Sequence, residues 1–301
     1  MACTNPLLAY KGNCGKMVFL RKQMALNDRA VYSLPCGQCM NCRLSRSREW
    51  AVRCTHESSL HEANSFITLT YDDQNLPLDE SLCKEHLQKF MKRLRKKINP
   101  IKIRYFACGE YGGRTQRPHY HICLFGYDFP DKILHSRGAN DLFTSELLQN
   151  TWEYGFSTVG EVNFDSARYV AGYVHKKITG SNAAEAYTRP VGYSGEMVAV
   201  EPEFMLSSRR PGIGYDWYRK YSDTDLWSKN YVTLAGKQYP VPNYYWDILK
   251  KENPTKYETQ RELLRQSAEK HTQEISGKRM GEIEHQQRII QSKTINNRDR
   301  I

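Results

Sequence analysis

Apolar and polar positions first alternate regularly at Ser65-Phe66-Ile67-Thr68-Leu69-Thr70-Tyr71. The run is rich in β-branched and aromatic residues, so it reads as a central strand, and Asp72-Asp73-Gln74-Asn75 ends it. The period then lengthens from 2 to about 3.6. Cys83, Leu87, Phe90, Met91, Leu94 and Ile98 form the apolar stripe of a helix predicted over 80–98. Lys89, Lys92, Arg93, Lys96 and Lys97 occupy its other face, a solvated surface with DNA attraction as a second use. Strands are predicted over 101–108 and 117–126, joined by a Gly-rich turn over 109–116. In the later strand His119, His121, Cys123 and Phe125 share one face. Tyr120, Ile122 and Leu124 share the other, which reads as the buried one.

A short helix over 141–151 and a strand over 155–162 follow. Upstream, residues 42–60 read as a helix with Arg43, Arg46, Trp50 and Arg53 near one face. Downstream, a helix capped by Asp165 or Ser166 carries Tyr169 and Tyr173 at i and i+4, with Lys176 and Lys177 one turn on. The order strand, helix, strand, strand, helix, strand predicts an α+β fold: an antiparallel-dominated sheet with helices on one face, like split βαβ folds. No G-x-G-x-x-G follows the first strand, so a doubly wound fold fits poorly. Four regions result. Residues 1–60 are a Cys-rich segment and basic helix, 61–215 a catalytic domain, and 216–249 an aromatic-rich extension. Residues 250–301 are a polar tail, helical or disordered. The aromatic extension reads first as a small core and second as a base-stacking surface.

The formal charge of +11 over 301 residues narrows the partners. It favours an acidic partner, nucleic acid ahead of a membrane surface. No apolar run reaches transmembrane length and no secretory pattern opens the chain, so a cytosolic protein is expected. Nine cysteines, an odd number, argue against a disulfide framework in that setting. Cys36, Cys39 and Cys42 fall at three-residue spacing, as in a structural zinc knuckle, with Cys3 or Cys14 as the fourth ligand. Arginines beside Trp50 suit phosphate contact and stacking. So does the Gly/Pro-rich turn over 207–214 with Arg209 and Arg210.

The chemistry concentrates in two stretches. Two imidazoles two residues apart on one strand, with Glu110 at the end of the strand before, form a ligand set for a divalent ion. Its open positions can take a substrate oxygen. A phenol has a pKa of about 10, so Tyr169 or Tyr173 becomes a nucleophile only beside a cation or metal. The competing readings are two partly exposed strand histidines and an aromatic packing pair.

In combination these stretches resemble the HUH endonucleases of rolling-circle replication. The resemblance rests on His119-Tyr120-His121, Glu110, Phe66-Ile67-Thr68-Leu69-Thr70, and Tyr169-x-x-x-Tyr173 with Lys176 and Lys177. The chain is most similar to the replication initiators of microviruses, the small single-stranded-DNA bacteriophages, and among them to the gokushovirus branch. Cys36-Gly37-Gln38-Cys39-Met40-Asn41-Cys42-Arg43 and Ser208-Arg209-Arg210-Pro211-Gly212-Ile213-Gly214 also resemble stretches of those proteins. Tyr120 departs from the pattern, where an aliphatic residue is usual. The resemblance implies an RRM-like endonuclease fold and Mg2+ or Mn2+ held by His119, His121 and Glu110. It implies Tyr169 and Tyr173 as nucleophiles that form a 5′-phosphotyrosine link and rejoin the displaced strand. It implies Lys176 or Lys177 neutralising developing charge, viral origin DNA as substrate, and action in the cytoplasm of a bacterial host. No G-x-x-x-x-G-K-[ST] occurs, so a host helicase and polymerase are implied as partners. Two alternatives stay open: a non-catalytic basic DNA-binding protein with a structural zinc site, and a metal-dependent phosphodiesterase that uses water.

Overall fold

The computed structural model describes residues 3–11, 17–19, 31–138, 140–173, 183–192, 195–274 and 287. The chain opens with β1 (Leu7–Lys11), β2 (Met17–Phe19) and β3 (Val31–Leu34), which pair as a small antiparallel sheet in the order β2-β1-β3. Then come α1 (Met40–Ser58), β4 (Asn64–Thr70), α2 (Lys84–Lys97), β5 (Arg104–Tyr111) and β6 (Pro118–Phe125). β7 (Ile133–Ser136), β8 (Leu142–Thr144), α3 (Glu146–Gln149), β9 (Ser157–Gly160) and α4 (Phe164–Tyr173) follow. After α5 (Ala183–Ala186), β10 (Thr188–Val191) pairs with β11 (Glu196–Ala199), and β12 (Phe204–Ser207) returns to the main sheet. The C-terminal part holds α6 (Tyr215–Tyr221), β13 (Tyr231–Leu234), β14 (Lys237–Pro240), α7 (Asn243–Glu252) and α8 (Pro254–Glu274).

The main sheet has seven strands in the order β12-β5-β6-β4-β9-β8-β7, and every neighbouring pair is antiparallel. The α+β expectation therefore holds, but the helices cover both faces rather than one. On one face, Leu87, Phe90, Met91 and Leu94 of α2 pack on Ile67, Leu69, Ala107, Tyr120, Ile122 and Leu124. On the other, Ala51 and Cys54 of α1 and Ala167, Val170 and Ala171 of α4 pack on Phe106, Cys108, Cys123 and Phe125. The unbroken run Tyr120-His121-Ile122-Cys123-Leu124-Phe125 is the sequence of a strand buried on both sides, and all six residues are buried. Tyr120 fits because its hydroxyl is fully satisfied. It lies 2.7 Å from the Tyr71 hydroxyl, donates to the Cys83 carbonyl and accepts from the Cys83 amide.

Several predicted boundaries shift for identifiable reasons. β5 runs on through Gly109, Glu110 and Tyr111, which pair with Tyr120, His119 and Pro118. The turn shrinks to 112–117, closed by the Gly112 amide on the Arg117 carbonyl at 3.0 Å. Gly109 is thus a packing glycine within a strand: a Cβ there would lie 2.9 Å from the Phe204 ring. The helix predicted over 80–98 begins at Lys84. The helix predicted over 141–151 is strand β8 followed by the single turn α3, whose N-cap Ser145 accepts from the Leu148 amide at 3.1 Å. The aromatic extension forms a small core: Trp217, Tyr218, Trp227, Tyr245 and Trp246 pack with Val52 of α1. Beyond residue 250, α7 ends at Glu252 and α8 extends to Glu274. No helix among the described residues is long and apolar enough to cross a membrane.

Candidate metal and nucleophile site

Strand pairing assembles the first site. Glu110 sits opposite His119 and Cys108 opposite His121 across β5 and β6, while Thr68 and Thr70 of β4 sit opposite His121 and His119. Glu110 Oε1 lies 2.7 Å from His119 Nε2 and 3.0 Å from His121 Nε2. The other ring nitrogens are held from behind, His119 Nδ1 at 3.1 Å from the Arg117 carbonyl and His121 Nδ1 at 3.1 Å from Thr68 Oγ1. For His119 both neighbours are pure acceptors. The ring is therefore either doubly protonated or, with its proton on Nδ1, presents a bare Nε2 lone pair beside the carboxylate. The second form is that of a metal-bound histidine with its outer nitrogen anchored. Burial disfavours the Glu110 carboxylate, but hydrogen bonds from His119 and His121 outweigh it and hold its pKa below the ordinary range. One ligand atom from each of the three residues lies within 4.8 Å of the others. Two nitrogens and one carboxylate oxygen suit a divalent ion with positions left open, so the residues fit the metal the resemblance implies.

The helix that carries the phenols is fixed over this site. Neither Asp165 nor Ser166 is its N-cap. Asn163 takes that role: the Ser166 amide donates to Asn163 Oδ1 and the Asn163 amide to Ser166 Oγ, both at 2.8 Å. Ala167, Val170 and Ala171 are buried against the sheet and α1, and the Ser47 hydroxyl of α1 donates to the Arg168 carbonyl at 3.0 Å. Tyr169 consequently faces the histidines. Its ring centroid is 5.1 Å from that of His121, edge-on, and 6.5 Å from that of Phe66. It keeps 39% of its surface exposed, so a substrate can reach it. Tyr173 is the last residue of α4; its side chain, and Lys176 and Lys177 altogether, lie outside the described residues.

The proposed DNA-contacting arginines divide. Arg46, Arg209 and Arg210 are exposed and Arg43 half-buried. Arg53 corrects the expectation: it is buried, donates from Nε to the Ile213 carbonyl at 3.1 Å, and is sandwiched between the rings of Trp50 and Tyr244 at 4.0 and 3.9 Å. Helix spacing put it near Arg46 and Trp50, but the loop 208–214 and α7 close over it. Cys3, Cys36, Cys39 and Cys42 come together with all four sulfurs within 4.8 Å of one another; Cys14 lies outside the described residues. Against the pull of burial, hydrogen bonds from Thr4 and the Cys42 amide bring the Cys39 thiol down to about 5. Burial and the neighbouring Cys39 and Cys3 sulfurs push Cys42 up to about 12. Thr68 and Phe66 are site residues that motif reading missed. Their alternation on β4 was visible, but the register that sets Thr68 against His121 was not.

The comparisons agree with this geometry. A family of replication-associated proteins, the ORF2 type, matches residues 64–178, from β4 to just beyond α4. The chain is 34% identical to replication-associated protein VP4 of Bdellovibrio phage phiMH2K, over 85% of this chain and 80% of the relative. It is 33% identical to replication-associated protein ORF2 of Spiroplasma virus 4, over 81% of this chain and 79% of the relative. A third relative, replication-associated protein ORF4 of Chlamydia phage 1, is 31% identical over 73% of this chain and 54% of its own length. The chain belongs to this family of phage replication-associated proteins. Within it, the resemblance to microvirus-type rolling-circle initiators holds. No solved structure matches the chain.

Proposed function

We propose that the protein is the nicking and joining enzyme of rolling-circle replication, acting on single-stranded origin DNA. The observation that carries this is the phenol of Tyr169 set edge-on to His121, whose Nε2 meets the Glu110 carboxylate. Glu110, His119 and His121 would hold Mg2+ or Mn2+, which when bound polarises the scissile phosphate and neutralises its charge. Tyr169 loses its proton and its oxygen bonds to phosphorus. The bond from phosphorus to the 3′ oxygen breaks, and that oxygen takes up a proton as a free 3′-hydroxyl. The product is a 5′-phosphotyrosine, so the phosphoester bond energy is retained and joining needs no nucleotide. Tyr173, one helical turn along α4, would supply the second nucleophile that regenerates a circle. Lys176 and Lys177, next in sequence, would offset developing negative charge. A host helicase and polymerase would complete replication in the bacterial cytoplasm.

The test is incubation with a labelled single-stranded origin oligonucleotide and Mn2+, read on a denaturing gel. Wild type should give a covalent protein–DNA band. Tyr169→Phe combined with Tyr173→Phe should reduce it by on the order of a thousand-fold or more. An undiminished band in that variant would remove both tyrosines from the nucleophile role. Cleavage with no covalent band in the wild type would make water the nucleophile instead.

A further inference from the structure

The four clustered cysteines lie outside the strand-and-helix site, and nothing in the proposed nicking chemistry uses them. We infer that Cys3, Cys36, Cys39 and Cys42 bind a single structural Zn2+ that staples the N-terminal sheet to the first turn of α1. The geometry is that of one ion. The Cys3 and Cys39 sulfurs are 3.7 Å apart, and tetrahedral zinc with Zn–S of about 2.3 Å sets its sulfurs about 3.8 Å apart. A disulfide needs about 2.05 Å, and an iron–sulfur cluster holds its thiolates further apart than these four. Backbone amides already point at the sulfurs: Cys36 N–H donates to Cys3 Sγ at 3.3 Å and Cys39 N–H to Cys36 Sγ at 3.2 Å. Such contacts stabilise thiolates bound to metal. Gly37, at φ +74°, permits the tight turn that brings Cys36 and Cys39 to the same point. Cys39 is the N-cap of α1 and Cys42 lies in its first turn, so the positive end of the helix offsets the negative charge of a tetrathiolate centre.

The surrounding fold lacks any other staple among the described residues. None of the three apolar clusters there includes a residue before Trp50. Leu7, Leu8, Met17, Val18, Phe19 and Tyr32 of the N-terminal sheet are all exposed, and Ala9 is buried. Three short strands with so little buried apolar surface need a covalent or metal tie to stay folded. A four-sulfur set of this size selects zinc among biological divalent ions.

The experiment uses the full chain, purified without added metal or chelator, with metals counted by mass spectrometry. About one zinc per chain is expected. The same content is expected in His119→Ala/His121→Ala, which separates this site from the nicking site, and in Cys14→Ser. Cys36→Ser/Cys39→Ser should fall at least tenfold. Replacing zinc by Co2+ in the intact wild type should give the thiolate-to-cobalt charge-transfer band of a tetrahedral sulfur site, a readout independent of any variant's folding. No zinc in the wild type, iron in its place, zinc lost from Cys14→Ser, or the absence of that band would each overturn the assignment.

Discussion

His121 is oriented through the nitrogen that faces away from Glu110. With Thr68 Oγ1 at 3.1 Å from Nδ1, the ring keeps Nε2 directed at the carboxylate, and a Val at 68 would keep the shape while removing that partner. Outer contacts of this kind change metal affinity by about 10–100-fold. Thr68→Val should therefore weaken Mn2+ binding by roughly 10-fold or more, read by titration of the free-ion electron paramagnetic resonance signal, with circular dichroism unchanged. Equal affinity in the two proteins would show that His121 needs no anchor. The same scale explains why Arg53 resisted sequence reading. Its charge suggested DNA, whereas its two aromatic neighbours come from positions 50 and 244 and its carbonyl partner from position 213. Only the folded chain brings these together.

Among the elements, α1 connects the parts. It packs along α4, which bears Tyr169, and its C-terminal turn meets β5 and the loop before α6 at one buried carboxylate. Glu57 takes a hydrogen-bonded ion pair from Arg104, accepts from the Gly214 amide at 2.7 Å, and lies 3.4 Å from His61 Nε2. Burial opposes its ionisation, but His61, the Gly214 amide and Arg104 together hold its pKa below the ordinary value. A carboxyl with a depressed folded-state pKa adds stability above its unfolded value of about 4.3, and this is lost as pH falls through the folded value. Glu57→Gln should thus cost about 3 kcal/mol near neutral pH. The gap in melting temperature from wild type should close as pH drops below about 4. A gap independent of pH would assign the cost to packing instead of charge. Helix α1 itself was legible within two residues at each end, because its arginines and Trp50 recur at helical spacing. Helix α2 was legible from its single apolar stripe. The segment 133–144 was not: β7 is exposed along its length and β8 is only three residues, so neither has a burial pattern to read.

At the scale of the molecule, the central strands and the residues of both candidate sites could be read from sequence, because each rests on short-range spacing. Register, the second helical layer and the choice of Cys3 over the cysteines' other candidate partners depend on contacts between residues far apart in the chain, which no local pattern encodes. The +11 charge is of the same kind: its sum was plain, its distribution was not. Much of the basic face of α2 is engaged within the protein. Arg93 pairs with Glu153 and donates to the Thr151 carbonyl, Lys97 donates to the Asn150 carbonyl, and Lys89 pairs with Glu85. Arg209 and Arg210 are different. They stand exposed on a loop held down by Arg104 on the Pro211 carbonyl and by the Gly214 amide on Glu57, and closed by a bridge between Arg209 and Gly212. The loop follows β12, whose Ser207 pairs with Phe106 near the start of β5, while Glu110 is near that strand's end. Roughly six residues of strand, about 20 Å, separate the two ends, a span a few unstacked nucleotides can cover. If single-stranded DNA runs from the nicking site to this loop, each phosphate released from an arginine lowers the slope of log affinity against log salt by about 0.7. Arg209→Ala/Arg210→Ala should then reduce that slope by about 1.4, measured by fluorescence anisotropy with a labelled oligonucleotide across a salt series. A variant with the wild-type slope would place the DNA path elsewhere on the sheet.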